Sequence, residues 1–396
     1  MSFGETRPLV RLRAGAGRRL KAGHPWAFSN EIAMRPEFKA LAPGGLVRLE
    51  GDDGVSFGTA FYNPHSLIAA RRLDADAEAK IDADWFALRL AEAASLRERF
   101  FTAPFYRLVH AEADRLPGLI VDRYGGFAVL EANSAGMDRL LPEITAALAA
   151  VLPVQDVLAR NDSAARRLEG MAEEVRLLRG TIPDDLAVEE GGVRFPIDPV
   201  HGQKTGWFYD QRPNRDRVAA LARGARVLDV FCHTGGFGLR AAAAGAARVV
   251  LVDSSAAALA LAEQAAEQSG LHAELLRADA FSALADFAAG GERFDIVVAD
   301  PPPFIPSRKD QAAGLRAYAR LARLAAALVA PAGFLFLASC SHHASPEAFG
   351  EAVAEGLARA RRGGRIVHAG GAGPDHPVHP ALPESAYLKA MLVQLF

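Results

Sequence analysis

The chain has 396 residues, of which 50% are hydrophobic and 23% are charged, a composition typical of a globular protein with more than one domain. Lysine and arginine number 45 against 47 aspartates and glutamates, so the net charge of −2 neither requires nor excludes a nucleic-acid partner. Two cysteines are too few for a disulfide framework or a cysteine zinc cluster. The sequence also lacks a secretory signal and any uninterrupted apolar stretch of roughly 18 residues, so we expect a soluble, cytoplasmic protein with no membrane partner.

The first region of the chain is predicted to be a small β-rich domain, which we assign to residues 1–75. Short alternating segments between Val10 and about Leu73 are broken by glycine, proline and asparagine. The beginning of this region carries a run of basic residues without an acidic one, which we call the basic strip: Arg7, Arg11, Arg13, Arg18, Arg19 and Lys21. Such a run is either a solvated strand face or an edge that contacts phosphates.

The second region, residues 76–190, is predicted to be an α+β domain. Apolar residues at helical spacing come first, and strand-like segments follow, with a hairpin predicted at residues 123–126 and a helix from Asp138 to Leu152. This region shows no pairing of a nucleophile with a base. We therefore interpret it as a linker or a domain that shapes the substrate site.

The third region, residues 191–396, is predicted to be an α/β domain of the Rossmann-like type. Near-continuous apolar strands alternate with alanine-rich helices, including a long helix from about Gln311 to Val329. This alternation is typical of a parallel sheet with helices on both faces. The chain ends with one further predicted strand, residues 389–396.

A glycine-rich turn after the first strand of this domain predicts a site for a nucleotide-like ligand. Glycines let the backbone approach such a ligand closely, and the following helix presents unpaired N–H groups. The turn contributes Thr234, Gly235, Gly236 and Phe237 as candidate binding residues. About 20 residues later, Asp253 is placed to accept hydrogen bonds from ribose hydroxyls.

Four successive strands of this domain end near an acidic residue. These residues are Asp229, Asp253, Asp279 and Asp300, the last followed by Pro301 and Pro302. Each acid alone is also explained as a helix cap, but the ordered set is the pattern of class I methyltransferases that use S-adenosylmethionine. We therefore predict that cofactor, with Asp279 placed for the adenine edge and with Asp229, Asp300 and Pro301 also among its binding residues.

Cys340 is the predicted nucleophile because it follows the strand that ends at Ser339, at the edge of the sheet where ligands bind. Carbon 5 of a cytosine becomes nucleophilic only after a group adds to carbon 6, and a thiolate can do so. Asp300 would then support the cytosine N3 edge. Cys232 is interpreted as a small structural residue, and His342 and His343 as loop residues. His376 and His379 lack further ligands, so no metal is predicted.

Several segments of this sequence resemble the bacterial large-subunit ribosomal RNA cytosine-5 methyltransferases. The most specific is GQKTGWFYDQR at residues 202–212. The others are residues 24–26, 116–123, 160–162, 231–237, 300–302, 339–341, 375–377 and 387–389. The resemblance implies an N-terminal PUA domain that binds RNA, a central α+β domain and a Rossmann-like methyltransferase domain. It also implies Cys340 as the nucleophile, large-subunit ribosomal RNA as the partner and often a homodimer.

Two departures from the family pattern bear on the choice of target. Pro303 stands where a lysine usually follows the two prolines, and residues 305–314 differ from the familiar pattern. Two other functions therefore stay open. One is methylation of a base nitrogen held by the Asp-Pro-Pro segment, without a covalent intermediate, and the other is an inactive RNA-binding assembly factor.

Overall fold

The computed structural model describes residues 7–396, which divide into two compact units. Of the described residues, the first unit comprises those from residue 7 to Asp184, Pro199–Gly206 and Pro374–Ser385, and the second comprises Asp185–Asp198, Trp207–Gly373 and Ala386–Phe396. None of the helices formed by residues 7–396 is both long and apolar enough to cross a membrane. The three domain boundaries drawn from the sequence stay a prediction.

The N-terminal part of the first unit is a small β-rich domain, as the sequence predicts. Its elements are β1 (Leu9–Arg11), α1 (Arg18–Lys21), β2 (Trp26–Ala27), α2 (Pro36–Lys39), β3 (Gly45–Glu50), β4 (Ser56–Tyr62) and β5 (Ala70–Asp74). Residues 7–75 form a sheet with strand order β1-β3-β4-β5-β2, in which β1 is parallel to β3. Alternate residues such as Val47 and Leu49 are buried in its core, so the spacing of two along each strand sets the buried face.

The rest of the first unit is built on a second sheet with strand order β10-β9-β8-β7-β6. Its elements are α3 (Ala83–Arg97), β6 (Phe105–His110), β7 (Leu119–Tyr124), β8 (Phe127–Ala132), α4 (Ala135–Arg139), α5 (Leu141–Val151), β9 (Asp156–Asn161), α6 (Ala164–Leu168) and β10 (Glu174–Arg179). The predicted hairpin is confirmed, since Tyr124 pairs with Phe127 across a turn in which Gly125 has φ 66°. The predicted helix from Asp138 to Leu152 is instead two helices, because Pro142 lacks an N–H donor and is suited to the first turn of α5.

The second unit contains the α/β domain. It begins with the hairpin of β11 (Ala187–Glu190) and β12 (Val193–Pro196) and continues with α7 (Arg212–Ala220). The remaining elements are β13 (Arg226–Val230), α8 (Gly236–Ala243), β14 (Arg248–Asp253), α9 (Ala256–Gln268), β15 (Glu274–Arg277), α10 (Ala280–Ala289), β16 (Phe294–Ala299), α11 (Gln311–Leu328), β17 (Val329–Ser339), α12 (Pro346–Arg359), β18 (Gly364–Gly370) and β19 (Lys389–Leu395).

Residues 226–395 form a sheet with strand order β15-β14-β13-β16-β17-β19-β18. The strands from β15 to β17 are parallel, as predicted, whereas β19 and β18 complete one side in antiparallel orientation. The strand order reverses between β13 and β16, because the chain moves outward from β13 to β15 and then returns to its other side. Open α/β sheets bind ligands at the carboxyl ends of the strands at such a reversal.

Candidate active site

The turn between β13 and α8 has an unusual backbone. Phe231, His233 and Gly235 have φ values of 60°, 51° and 78°, and only glycine adopts this region without strain. A Cβ atom at Gly238 would lie 2.2 Å from Leu251 Cδ2, so this position admits no side chain. The sequence therefore shapes a tight turn that brings the helix N-terminus close to the end of β13, as a nucleotide-like ligand requires.

Asp229 lies beneath this turn. Its Oδ2 accepts a 2.9 Å hydrogen bond from the backbone N–H of Gly238, while its Oδ1 is buried and accepts no hydrogen bond from any of residues 7–396. Burial, together with smaller contributions from the nearby Asp300 and Asp253, raises the pKa of this carboxyl to about 8. A buried oxygen of this kind fits a ligand that brings a hydrogen-bond donor or a positive charge.

Asp253 and Asp279 end neighbouring parts of the same sheet but have different roles in the structure. Asp253 accepts hydrogen bonds of 2.9 Å from the backbone N–H groups of His233 and Ser255, which fixes its carboxylate at the glycine-rich turn. Asp279 is exposed and caps α10 by accepting from the N–H of Ser282 at 2.9 Å. The structure therefore brings Asp253 together with Asp229 and Asp300, and gives Asp279 a capping role; contact of Asp279 with adenine stays a prediction.

Asp300 follows β16 and is oriented by the segment that carries the strongest sequence resemblance. Its Oδ2 accepts a 2.8 Å hydrogen bond from the side-chain amide of Gln211. The side-chain oxygen of Gln211 in turn accepts one of 2.7 Å from the side-chain amide of Asn214. Gln211 and Asn214 are both buried, whereas Asp300 is partly exposed and Pro301 after it is buried. The chain thus holds the Asp300 carboxylate in one orientation while leaving part of it accessible.

Cys340 lies directly after β17, at the carboxyl end of the strand that neighbours β16. The two serines that flank it are buried and joined through one tyrosine: Ser339 donates to Tyr318 at 2.8 Å, and the hydroxyls of Tyr318 and Ser341 are 2.9 Å apart. Ser341 also accepts from the N–H of Ile305 at 3.2 Å, which joins the loop to the segment after Asp300. These bonds hold Cys340 at the sheet edge, partly exposed.

The other cysteine, Cys232, is buried in the glycine-rich turn. Burial raises the pKa of this thiol well above its ordinary value, and the negative charges of Asp229 and Asp253 raise it further. A thiol in these surroundings stays protonated and unreactive, which agrees with its interpretation as a structural residue.

The remaining predicted residues of the turn differ in exposure and contacts. Thr234 is buried, and Gly236 begins α8, where a Cβ would lie 3.2 Å from Arg215. The ring of Phe237 is buried and lies 4.9 Å from the ring of Phe336 in β17. Phe237 thus packs into the core of the sheet, and its contact with a cofactor stays a prediction.

The basic strip of the first unit is not carried on one strand: Arg11 lies on β1, Arg18, Arg19 and Lys21 lie on α1, and Arg7 and Arg13 lie outside both elements. Arg11 pairs with Glu50 at 3.0 Å, and Lys21 pairs with Asp53 at 2.6 Å. Arg13, Arg18 and Arg19 are exposed, and within residues 7–396 none of the three forms a salt bridge. The strip therefore presents both paired and unneutralised cations to solvent.

Glu190 is a buried acid that sequence reasoning missed. It binds Arg215, whose side chain lies beside Gly236 of the glycine-rich turn. Its carboxylate accepts two hydrogen bonds from Arg215, at 2.6 and 2.7 Å, and one each from Arg212 and Arg240. Burial alone would raise the pKa of Glu190, but Arg215 and the other arginines lower it to about 2. No local sequence signal marks this residue, because its partners lie 22 to 50 residues further along the chain.

Two protein-family models match the chain. The model of a PUA-like domain matches residues 10–75, and the model of an S-adenosylmethionine-dependent methyltransferase matches residues 159–394. The second match covers more than half of the chain and includes both the glycine-rich turn and Cys340. The donor set described above fits this cofactor, since the unsatisfied oxygen of Asp229 and the oriented carboxylate of Asp253 lie at one turn.

Curated relatives match almost the full length of the chain. A protein of Shewanella denitrificans named ribosomal RNA large subunit methyltransferase I is 35% identical over 98% of this chain and 99% of its own length. A protein of Aeromonas hydrophila with the same name is 36% identical, over 97% of this chain and 98% of its own.

Solved structures share the fold. An S-adenosylmethionine-dependent methyltransferase of Streptococcus mutans has a TM-score of 0.80 at 21% identity and covers 98% of this chain and 100% of its own. A methyltransferase in complex with SAH has a TM-score of 0.81 at 20% identity, with the same coverage.

Proposed function

This chain belongs to the ribosomal RNA large subunit methyltransferase I family of S-adenosylmethionine-dependent enzymes, and we propose that it forms 5-methylcytosine in large-subunit ribosomal RNA through a covalent bond to Cys340. The observation that carries this proposal is the position of Cys340. It lies at the carboxyl end of β17, and its loop is hydrogen-bonded to the segment that follows Asp300.

The chain's own residues support each part of this reaction. S-adenosylmethionine, when bound, supplies an electrophilic methyl group. We assign Asp229, Asp253 and the turn of Thr234–Phe237 to its binding, with Asp253 on the ribose hydroxyls. Asp279, Asp300 and Pro301 complete the proposed set, with Asp300 facing the target base.

Cys340 acts as the nucleophile in the proposed mechanism. Its thiolate adds to carbon 6 of the cytosine, and the electron pair of the carbon 5–carbon 6 double bond becomes available at carbon 5. Carbon 5 would then bond the methyl group while the methyl–sulfur bond breaks and its electrons stay on the sulfur, which leaves as the neutral thioether. Loss of the proton from carbon 5 and departure of the thiolate from carbon 6 then restore the double bond and the free enzyme. Negative charge develops at N3 during the addition, and Asp300 stabilises it by donating a proton to N3, a role that requires the protonated carboxyl.

The proposed substrate must present an unstacked cytosine, because carbon 6 of a stacked base is out of reach of a side chain. We propose that the PUA-like domain supplies the RNA contacts through Arg11, Arg13, Arg18, Arg19 and Lys21 of the basic strip. We also propose that the enzyme acts in the cytoplasm, because its proposed substrate is ribosomal RNA. The homodimer implied by the resemblance stays a prediction, which light scattering of the purified protein tests.

Mass spectrometry of nucleosides tests the modified base. Ribosomal RNA from a strain that lacks this gene is treated with purified enzyme and S-adenosylmethionine, digested to nucleosides and compared with untreated RNA. The proposal expects a gain of 5-methylcytidine only. A gain of a nitrogen-methylated nucleoside instead would support direct attack by a base nitrogen held at Asp300. No gain on free or assembled RNA would support an assembly factor without this activity.

A further inference from the structure

The loop that carries Cys340 is closed by a buried lysine that the proposed mechanism does not use. Lys389 begins β19, and its register partner in β17 is Ser339, the residue before Cys340. Its Nζ donates to the carbonyl oxygen of Ser341 at 2.6 Å and to that of Tyr387 at 2.7 Å. The side chain is almost completely buried, at 6% exposure.

A buried lysine is costly unless its surroundings stabilise the ammonium form. Burial lowers the pKa of Lys389, and the negative charge of the neighbouring Cys340 opposes that shift. The two short bonds to carbonyl oxygens also require donors, and an ammonium has three N–H groups while accepting none. An electrostatic interaction between two groups is mutual, so a thiolate that stabilises the ammonium is itself stabilised by it.

Within residues 7–396, two other titratable groups at this loop, Tyr318 and His342, do not supply a positive charge. The hydroxyl of Tyr318 in α11 is hydrogen-bonded to Ser339 and Ser341 of this loop. Burial raises the pKa of this hydroxyl, so Tyr318 is neutral. Burial lowers the pKa of His342, and Lys389 and His343 lower it further, so this imidazole is neutral at pH 7. Tyr387 contacts the ring of His342, and the carboxyl group of Asp300 follows the neighbouring strand β16.

We propose that Lys389 is a positioning residue for the nucleophile: its ammonium holds the Ser339–Ser341 loop in place and keeps Cys340 in the reactive thiolate form. The use of this thiolate in catalysis rests on the proposed function. The effect of Lys389 on the thiol does not, because it is measured on the protein without substrate. Pro303 stands where the family resemblance expects a lysine, and Lys389 supplies a cation to the same edge of the sheet from β19.

The test is the pH dependence of Cys340 alkylation by iodoacetamide, measured without RNA or cofactor in the Cys232→Ala background. Rates are recorded from about pH 5 to pH 10 for the parent, Lys389→Met, Lys389→Arg and Lys80→Met. Lys80 is the matched control, because its side chain is 72% exposed and pairs with Asp82 in the first unit. Melting curves establish which variants are folded.

The parent is expected to have an alkylation midpoint below about 8.5, the ordinary value for a cysteine thiol. Lys389→Met should raise the midpoint by about one pH unit, which lowers the rate at pH 7 about tenfold, whereas Lys389→Arg should keep the low midpoint. Lys80→Met should match the parent.

A folded Lys389→Met variant with an unchanged midpoint would overturn the inference. If that variant does not fold, a parent midpoint at or above about 8.5 would also overturn the inference. A low midpoint that is retained in Lys389→Arg would support the inference. The outcome is independent of the proposed function. A shifted midpoint in an enzyme that forms no 5-methylcytidine contradicts only the function, whereas an unshifted midpoint in an active enzyme contradicts only the role of Lys389.

Discussion

The two cysteines of this chain lie at the carboxyl ends of two strands of one sheet, yet their surroundings differ in charge. Cys232 follows β13 and is buried beside Asp229 and Asp253, and burial first, then these two acids, raise the pKa of its thiol well above the ordinary value. Cys340 follows β17 and is partly exposed, in a loop closed by the ammonium of Lys389. Position at the sheet edge alone therefore does not define a nucleophile, because the sign of the neighbouring charge decides whether a thiolate forms.

The glycine-rich turn, beside Asp229 and Asp253, and the Ser339–Ser341 loop, closed by Lys389, also suit different partners. Carboxylates at the turn favour a ligand with hydroxyl and cationic groups, which agrees with the S-adenosylmethionine dependence of the family. The loop favours an electron-poor carbon that a thiolate attacks. The following predictions separate the two regions, beginning with the largest expected effect.

Exchange of each cysteine for alanine separates the regions most strongly. Cys340→Ala should lower 5-methylcytidine formation about 10³-fold or more, because no other group makes carbon 5 nucleophilic. Cys232→Ala, the matched control, should stay within a few-fold of the parent, since its thiol is protonated and makes no proposed contact with substrate. Methyl transfer from labelled S-adenosylmethionine gives both rates. Equal losses of activity in the two variants would contradict the different roles assigned to Cys340 and Cys232.

Asp253→Ala tests the turn as the cofactor site. Loss of hydrogen bonds to ribose should weaken S-adenosylmethionine binding by about 1–3 kcal/mol, or roughly 5- to 150-fold, by calorimetry. Asp286→Ala is the control, because Asp286 is an exposed residue of α10 in the same domain. If the two variants bind equally well, Asp253 has no part in the site. Cys340→Ala should bind the cofactor like the parent.

Asp229 predicts a pH dependence of cofactor binding. Its folded-state pKa of about 8 lies above the ordinary 3.8, so the ligand-free chain holds this proton at neutral pH. The stability that the raised pKa contributes is complete below about pH 4 and is lost as the pH rises through 8. A cation that binds the ionised carboxylate should displace the proton, so affinity should rise toward about tenfold per pH unit up to pH 8.

Calorimetry in buffers of different ionisation enthalpy measures this proton release directly. Asp229→Asn removes the titrating group and should abolish the release while leaving Cys340 alkylation unchanged. Proton release that persists in Asp229→Asn would assign the effect to another group.

The smallest expected effect concerns the basic strip. Arg13→Gln with Arg18→Gln removes two cations that no carboxylate among residues 7–396 neutralises, and should flatten the salt dependence of RNA binding by about 1.4 log units per log unit of salt. The pair Arg11→Gln and Lys21→Gln should flatten it less, since Glu50 and Asp53 already neutralise these two cations. Slopes equal to the parent in both double variants would make the strip an ordinary solvated surface.

Features encoded by neighbouring residues could be predicted from the sequence. The hairpin at Tyr124 and Phe127 follows from its two glycines, and the ends of β14 at Asp253 and of β16 before Asp300 follow from apolar runs that stop at a polar residue. The predicted α/β fold with a β-rich N-terminal domain is confirmed for the same reason.

Features that depend on distant residues could not be predicted. Glu190 reaches Arg240 across 50 positions, and Lys389 reaches Ser341 across 48, so no local pattern signals either contact. The sequence left two roles open for Asp279, capping a helix or binding the cofactor, because an acid at the end of a strand can do either. The structure shows that Asp279 caps α10. The antiparallel placement of β18 and β19 likewise depends on strand order, which hydrophobicity alone does not determine.

Covalent trapping tests the central claim, that Cys340 bonds to the target base, most directly. Ribosomal RNA carrying 5-fluorocytosine is incubated with the enzyme and S-adenosylmethionine, and the protein is digested and analysed by mass spectrometry. Fluorine at carbon 5 cannot leave as the proton does, so the account predicts a stable adduct of one methylated nucleotide on the peptide containing Cys340, and none on the peptide containing Cys232. Efficient methylation of ordinary RNA with no adduct on Cys340 would contradict the account.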